Sequence, residues 1–133
     1  MTYLAKEVTA ELAERLTETD MRSSLVALAR IEAALRQDYE VRCKSKMSDD
    51  VSIKFRKIHK KRGRKARLDE DILAVWTEHV DQSSRAIISK LRGMLKFRHW
   101  LAHGRYWNHG TKYDFQDIYI LADAIVSDLP LQN

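Results

Sequence analysis

Apolar residues recur at helical spacing near the start of the chain. A four-residue repeat predicts an amphipathic helix from about Tyr3 to Glu18, and its members are Leu4, Val8, Leu12 and Leu16. Asp20 is a suitable N-cap for a second helix, since aspartate is preferred at that position. The stripe of this second helix consists of Leu25, Leu28, Ile31, Leu35 and Tyr39. The pattern therefore predicts two helices before residue 45.

The longest apolar stripe follows the acidic segment Leu68–Ile72, whose carboxylates suit a helix N-terminus. One face of the predicted helix carries Ile72, Trp76, Val80, Ile87, Leu91 and Met94. A last helix is expected from Asp114, with inward positions Phe115, Ile118, Tyr119, Ala122, Ile125 and Leu129. No segment shows the alternation of apolar and polar residues that is typical of a β-strand.

These elements predict an all-α bundle of four to five helices in one domain, residues 1–133. Proline is absent before Pro130, so little interrupts the helices. Residues 47–68 are the exception. Asp49 or Asp50 could cap a helix there, but the basic residues and Gly63 favour a loop or excursion between the second and third main helices.

The formal net charge is +5, and the excess lies in one segment, residues 54–68. That segment contains no acidic residue, which favours an anionic partner such as RNA. A solvated, self-repelling loop or a fraying helix is the alternative interpretation. The candidate RNA-binding residues in it are Lys54, Arg56, Lys57, Lys60, Lys61, Arg62, Arg64, Lys65 and Arg67.

The cellular location is predicted from three further observations. The single cysteine, Cys43, excludes an internal disulfide and a cysteine-cluster zinc site. No apolar run approaches the roughly 20 residues that cross a bilayer. The first residues are charged and periodic and lack the apolar centre of a signal peptide. We therefore expect a cytoplasmic protein without a membrane segment.

Residues 96–110, KFRHWLAHGRYWNHG, combine histidines, arginines and aromatics where the third helical pattern ends. Arg98 occupies the core stripe's next position after Met94, and burying an unpaired guanidinium costs several kcal/mol. Arg98 must therefore pair with a carboxylate, reach solvent, or face a cleft or a subunit interface. The carboxylates suggested as partners are Glu70, Asp114 and Asp117.

His103 follows Arg98 by five residues, which on a regular helix is about 140° around the axis. The two side chains therefore do not share a face. They converge only if the helix loosens near Gly104, or if each meets groups of a second subunit.

The string Arg98-His-Trp-Leu-Ala-His-Gly104 resembles the signature of the HEPN superfamily, the higher eukaryotes and prokaryotes nucleotide-binding domains. That signature is Arg, a polar residue, three further positions and His, often within Ala-His-Gly. The resemblance implies a helical bundle and a metal-independent endoribonuclease that needs no cofactor. It also implies a homodimer in which two motif copies form one composite site.

The implied catalytic residues are Arg98, His103 and His99. The RNA 2′-hydroxyl attacks the adjacent phosphodiester and leaves a cyclic phosphate. His103 exchanges the proton near neutral pH, and Arg98 binds the non-bridging oxygens. His99 stands where many members have Asn or Asp, and it could assist with phosphate or orient Arg98.

The segment after His103 departs from one branch of the family. Where some members carry a tyrosine that a partner nucleotidyltransferase modifies, this chain has Arg105, and Tyr106 follows one position later. Arg105 and Tyr106 are instead candidate RNA-binding residues. Small solitary ribonucleases of this kind are typically toxins of toxin–antitoxin pairs or antiviral effectors, so an antitoxin protein is a further partner that the resemblance suggests.

Other interpretations of the same residues stay open. Trp100, Tyr106 and Trp107 could stack on RNA bases, or they could fill a dimer seam or the core. His99 and His103 share a helical face, as zinc ligands would, but no recognised metal spacing accompanies them, and we expect no metal. The alternative function is a non-catalytic helical module that binds nucleic acid or another protein.

Overall fold

The computed structural model describes residues 3–103 and 115–133, with side chains at 4–12, 22–99 and 116–133. These residues form an all-α bundle and contain no strand, as predicted. A 3₁₀ turn (Gly63–Lys65) and a π-helical turn (Leu68–Leu73) separate the second and third helices. The five α-helices in this described part of the chain are α1 Tyr3–Lys44, α2 Asp50–Arg62, α3 Ala74–His79, α4 Gln82–His103 and α5 Phe115–Asp128.

Helix α1 is continuous over 42 residues. The prediction of two helices separated at Asp20 is therefore wrong, because Asp20 lies inside α1. The first 62 residues contain neither proline nor glycine, so no residue in this stretch breaks the helix. An aspartate inside a helix costs only a fraction of a kcal/mol, roughly 0.7 at most.

Helix α2 carries most of the basic segment, so the expected loop or excursion is wrong over residues 50–62. Asp49 is the N-cap, and its carboxylate accepts a hydrogen bond from the Ser52 amide at 3.0 Å. Val51 and Phe55 face the core one turn apart, while Lys and Arg are good helix formers on the other faces. The helix ends at Gly63, whose φ of +55° favours glycine.

The long pattern after Leu68 forms two helices instead of one. The backbone leaves the helix at Val80, where ψ is 165°, and Asp81 begins α4 by accepting a hydrogen bond from the Ser84 amide at 2.8 Å. Because of this break, the α4 positions that face the core differ from those predicted for one continuous helix. Ile88 is fully buried, whereas the predicted Ile87 is only partly buried.

The core lies between α1 and the helices that pack on it. Tyr39 contacts Phe55 edge-on at 5.2 Å between ring centroids, and Phe55 contacts Trp76 at 6.2 Å. On α5 the predicted positions Ile118, Ile125 and Leu129 are buried, and Ala122 packs against the core. No helix in the described part of the chain is both long and apolar enough to cross a membrane.

Tyr119 was predicted to face inward, and this prediction is wrong, because 63% of it is exposed. Ile118, Leu121 and Ile125 form the buried face of α5 at spacings of three and four residues. Tyr119 lies about 100° away from Ile118 around the helix axis and lines an open groove between α5 and α1 instead of the core.

A buried ion pair joins three parts of the bundle. Arg42 on α1 donates to Asp38 at 2.8 Å, to the N-cap Asp49 at 2.7 Å and to the Pro130 carbonyl at 2.7 Å. Its guanidinium carbon lies 5.2 Å from the centroid of the Trp76 ring. Burial raises the pKa of Asp38, although hydrogen bonds from the Gln132 amide and Arg42 oppose that effect. Arg42 therefore binds α1 to α2 and to the C-terminal segment.

Candidate functional site

Arg98 lies near the end of α4 and binds a carboxylate on another helix. Its Nη1 donates to Glu32 Oε2 on α1. Of the three possibilities left open for Arg98, pairing with a carboxylate is confirmed, but Glu32 is not among the three partners suggested from the sequence. About a third of the Arg98 side chain is exposed. The guanidinium is therefore held in place while part of it faces solvent.

Glu32 accepts from two arginines at once. Its Oε1 accepts from Arg36 Nε at 3.2 Å, one turn further along α1. Partial burial raises the pKa of Glu32, but the hydrogen bonds from Arg98 and Arg36 outweigh it, so the pKa lies below the ordinary value of a glutamate. Glu32 is therefore anionic at neutral pH and holds Arg98 by a charge-assisted hydrogen bond.

Arg36 extends this contact towards the basic segment. Its Nη1 donates to the Ala66 carbonyl at 2.9 Å, and Ala66 stands between Lys65 and Arg67. Arg98, Glu32, Arg36 and the Ala66 carbonyl thus form one chain of hydrogen bonds. The structure brings the motif arginine and the end of the basic segment to the same part of α1.

A cleft of about 290 Å³ lies beside Arg36. The other residues that line it are Tyr39, Glu40, Lys44 and Arg64. Tyr39 also supports this region, since its hydroxyl donates to the Gly63 carbonyl at 3.0 Å. Three cations and one carboxylate line the cleft, so it has the charge that suits a phosphate group.

Four of the predicted RNA-binding residues make contacts that support the bundle. Lys54 pairs with Glu78 at 2.6 Å and Arg67 with Glu70 at 3.0 Å. The other two are Arg62, which lies 3.6 Å from Asp71, and Arg56, which donates to backbone carbonyls after α1, including Met47 at 2.7 Å. These four cations are partly neutralised or engaged, which reduces what they offer to a phosphate.

The other five cations of the basic segment are exposed and have no carboxylate within salt-bridge distance in the described part of the chain. We call them the cationic surface, and it comprises Lys57, Lys60, Lys61, Arg64 and Lys65. They lie on α2 and the 3₁₀ turn that follows it. Clustered free cations are the arrangement that phosphate backbones bind.

The remaining candidates lie at the end of α4 and beyond it. His99 is exposed. His103 is the last residue of α4, and its side chain is outside the described set, as are Arg105 and Tyr106 entirely. The backbone is helical through His103, so its position is about 140° from that of Arg98 around the axis. Loosening of the helix near Gly104 falls outside the described residues.

Glu32 and Arg36 were not identified from the sequence. Their spacing of four residues is a signal of a helical ion pair, but such pairs are common and give no indication of a third partner. No family model, curated protein or solved structure was found to match this chain.

Proposed function

We propose that this protein is a metal-independent endoribonuclease of the HEPN type. The observation that carries the proposal is the Arg98-to-Gly104 string at the end of α4, with Arg98 held by Glu32 and about a third exposed. A residue that binds a transition-state phosphate must be both oriented and accessible. The Arg98 guanidinium meets both requirements.

The proposed reaction uses the substrate's own nucleophile. His103 takes the proton of the RNA 2′-hydroxyl, whose oxygen attacks the adjacent phosphorus and forms a 2′,3′-cyclic phosphate. The bond to the 5′ oxygen breaks, and that oxygen leaves as a hydroxyl after it takes a proton from solvent water, while the proton held by His103 returns to solvent. Arg98 stabilises the charge on the non-bridging oxygens. DNA lacks the 2′-hydroxyl and should not be cut.

The cationic surface gives this reaction its substrate contacts in our proposal. Its five exposed cations would bind successive phosphates in a sequence-independent, salt-sensitive way. The hydrogen-bond chain through Glu32 and Arg36 joins Arg98 to the Ala66 carbonyl, and Ala66 follows Lys65 of the cationic surface, so one RNA strand could contact both.

We propose that two copies of the chain build the complete site. Positions 98 and 103 lie about 140° apart on a continuous helix, so a histidine from a second copy can complement the arginine of the first. A homodimer of this type fits a toxin of a toxin–antitoxin pair or an antiviral effector. An antitoxin protein would then bind it and block the site.

The test is incubation of the purified protein with a mixed RNA pool in excess EDTA. We expect cleavage that leaves cyclic phosphate ends and that is lost in His103→Ala. The matched control is His79→Ala at the end of α3, which removes an imidazole near the opposite end of α4 from His103 and should cleave like the wild type. Circular dichroism confirms that both variants fold. Absence of cleavage by the wild type, or equal cleavage by His103→Ala, would contradict the proposal.

A second candidate is a non-catalytic nucleic-acid-binding module, and the cationic surface favours it. This function predicts that RNA and DNA bind with similar affinity, because phosphate contacts do not distinguish them. Binding would then be the same in His103→Ala, and no RNA would be cut.

A further inference from the structure

The cleft beside Arg36 contains cationic groups that the bundle does not use for its own packing. Arg36 donates through Nε to Glu32 at 3.2 Å and through Nη1 to the Ala66 carbonyl at 2.9 Å. Its Nη2 has no hydrogen bond to a described residue and remains for a ligand. Lys44 and Arg64 are exposed, and neither forms a salt bridge within the described part of the chain. Three charged donors therefore face one cleft of about 290 Å³.

Two hydrogen bonds fix the wall of this cleft. The Tyr39 hydroxyl donates to the Gly63 carbonyl at 3.0 Å, and the Ala66 amide donates to the same carbonyl at 3.4 Å. These bonds hold the 3₁₀ turn that carries Arg64. Tyr39 is 2% exposed and forms the inner wall. Ligand pockets typically measure about 300–1,000 Å³, so a cleft of this size admits one phosphate with its sugar and not several nucleotides.

The charge of the cleft matches a phosphate monoester. Arg36, Lys44 and Arg64 supply three positive charges, and Glu40 supplies one negative charge, so the net charge is +2. A phosphate monoester carries about −1.5 to −2 at pH 7, whereas each phosphodiester inside a strand carries about −1. The monoester is therefore attracted more strongly by the same cations. In RNA a phosphate monoester occurs only at an end of the chain.

Glu40 suits the sugar that is attached to such a phosphate. A carboxylate repels phosphate, and this one forms no salt bridge with a described residue that would neutralise it. Carboxylates beside phosphate sites accept hydrogen bonds from the ribose 2′-hydroxyl. Glu40 and Lys44 are about one turn apart on α1, or roughly 6 Å along its axis. This spacing lets Glu40 bind the ribose while Lys44 binds the phosphate.

The cleft lies beside the arginine of the proposed catalytic site. Glu32 binds Arg36 through Oε1 and Arg98 through Oε2. Glu32 and Glu40 are about two turns apart on α1, or roughly 12 Å along its axis. An RNA whose terminal nucleotide occupies the cleft therefore reaches Arg98 within a few nucleotides of its end.

We propose that this cleft binds the terminal phosphate monoester of an RNA chain. Lys44, Arg64 and the Nη2 of Arg36 bind the phosphate, and the carboxylate of Glu40 accepts from the ribose 2′-hydroxyl. The protein then selects RNA by a phosphorylated end. The binding is independent of the proposed ribonuclease function, whereas its consequence, a cut at a fixed short distance from that end, rests on it. The new ends made by the cut are a cyclic phosphate and a hydroxyl, neither of which is a monoester, so the shortened RNA does not bind the cleft again.

The first test measures binding without cleavage, in a His103→Ala background. Three short RNAs of one sequence carry an internal fluorophore and have a 5′-phosphate, a 3′-phosphate or hydroxyls at both ends. Fluorescence anisotropy should give a Kd at least about tenfold lower for a phosphorylated RNA than for the hydroxyl-ended RNA, and the preferred RNA identifies the end. Equal Kd values for all three would overturn the proposal. A nucleoside 5′-monophosphate that binds as tightly as the phosphorylated RNA would also overturn it, because the ligand would then be a free nucleotide.

A matched pair of variants locates the binding. Lys44→Gln and Lys46→Gln each remove one exposed positive charge, two residues apart, and only Lys44 lines the cleft. Lys44→Gln should lose most of the preference for the phosphorylated end and change the Kd of the hydroxyl-ended RNA far less. Lys46→Gln should retain the preference, and circular dichroism checks that both variants fold. Equal loss of the preference in both would overturn the proposal, since net charge and not the cleft would then recognise the end.

Glu40→Ala tests the ribose contact. The RNA that binds best is compared with a copy whose terminal nucleotide lacks the 2′-hydroxyl. The unsubstituted cleft should bind the copy more weakly, and Glu40→Ala should bind the two RNAs with similar Kd values. A difference between the two RNAs that persists in Glu40→Ala would overturn the assignment of Glu40.

The last test uses the chain with His103 intact and two RNAs that share the phosphorylated end and differ in length at the other end. We expect the same short end fragment from both RNAs, and a less uniform set of fragments from Lys44→Gln. A cut position that changes with RNA length would overturn the claim that the cleft positions RNA at Arg98. Absence of all cleavage, with the end preference in Kd retained, would contradict the proposed ribonuclease function and support the binding site, so the two failures are distinguishable.

Discussion

The guanidinium of Arg98 on α4 binds the carboxylate of Glu32 on α1, a residue 66 positions earlier in the chain. Glu32 is in turn bound by Arg36, and Arg36 by the Ala66 carbonyl. The orientation of the motif arginine therefore depends on α1 and on the basic segment as well as on the helix that carries it.

Glu32→Gln should slow RNA cleavage about 10- to 100-fold, because a neutral amide holds the Arg98 guanidinium less firmly and small displacements are costly in catalysis. The loss of unfolding free energy should stay within about 1 kcal/mol, since the pair is partly exposed. Single-turnover kinetics measures the rate. Arg36→Gln is the control, because it removes the other partner of Glu32 and keeps the Arg98 contact, so its rate should fall less. An unchanged rate in Glu32→Gln would mean that Glu32 does not position Arg98.

Arg42→Ala should lower the free energy of unfolding by about 3–5 kcal/mol, because it leaves the buried Asp38 carboxylate without its cation. Asp38→Asn should lower the free energy of unfolding by less than Arg42→Ala does. It removes a charge whose second oxygen has no partner in the described residues, and Arg42 retains Asp49. Urea unfolding followed by circular dichroism measures both. Arg67→Ala breaks an exposed pair and serves as the control with little change. A larger loss in Asp38→Asn than in Arg42→Ala would contradict this account of the ion pair.

The N-cap Asp49 should make folding sensitive to acid. Burial raises its pKa, but the hydrogen bonds from Ser52 and the charge of Arg42 together outweigh that effect and hold the pKa below the ordinary aspartate value. A lowered pKa in the folded state contributes stability above about pH 4 that is lost as the pH falls through the folded-state pKa. Asp49→Asn keeps a capping side chain but not this charge.

The measurement for Asp49 is thermal unfolding of wild type and Asp49→Asn from pH 6 to pH 2. The wild type should have the higher Tm at pH 6, and the difference should shrink below about pH 4. Asp50→Asn, beside the cap but outside the capping hydrogen bond, should show a smaller dependence on pH. A Tm difference that stays constant over this range would show that the charge of Asp49 does not contribute.

Removal of Lys57, Lys60 and Lys61 together, each to Ala, should weaken RNA binding and reduce the slope of log K against log salt by about 2. The physical reason is that these exposed lysines release counterions when phosphates bind. Fluorescence anisotropy with a labelled single strand at several salt concentrations measures the slope. Replacing Lys6, Lys46 and Lys90, which are also exposed, removes the same net charge elsewhere. If both triple variants lose affinity equally, net charge alone is responsible and the cationic surface is not the binding site.

The sequence by itself determined the helical class and most of the buried positions, including Leu28, Leu35, Ile72 and Ile125, and it offered Asp49 as one of two candidate N-caps. These features depend on local periodicity and on hydrogen bonds between residues three or four apart. The basic segment was located correctly, but its helix was not predicted. The many basic residues favoured a loop, although Val51 and Phe55 have the spacing of one helical turn.

Only the tertiary structure decided which ion-pair partner a charged residue has and which apolar residues another helix covers. Periodicity identifies a face but does not say which helix covers it, so the exposure of Tyr119 and of Leu4, Val8 and Leu12 at the start of α1 could not be predicted. In the same way, the sequence left Arg98 with a carboxylate, solvent or a cleft as alternatives, and several carboxylates were equally available along the chain. The packing of α4 against α1 selected Glu32, because ion pairs between distant residues depend on distances that only the folded chain defines.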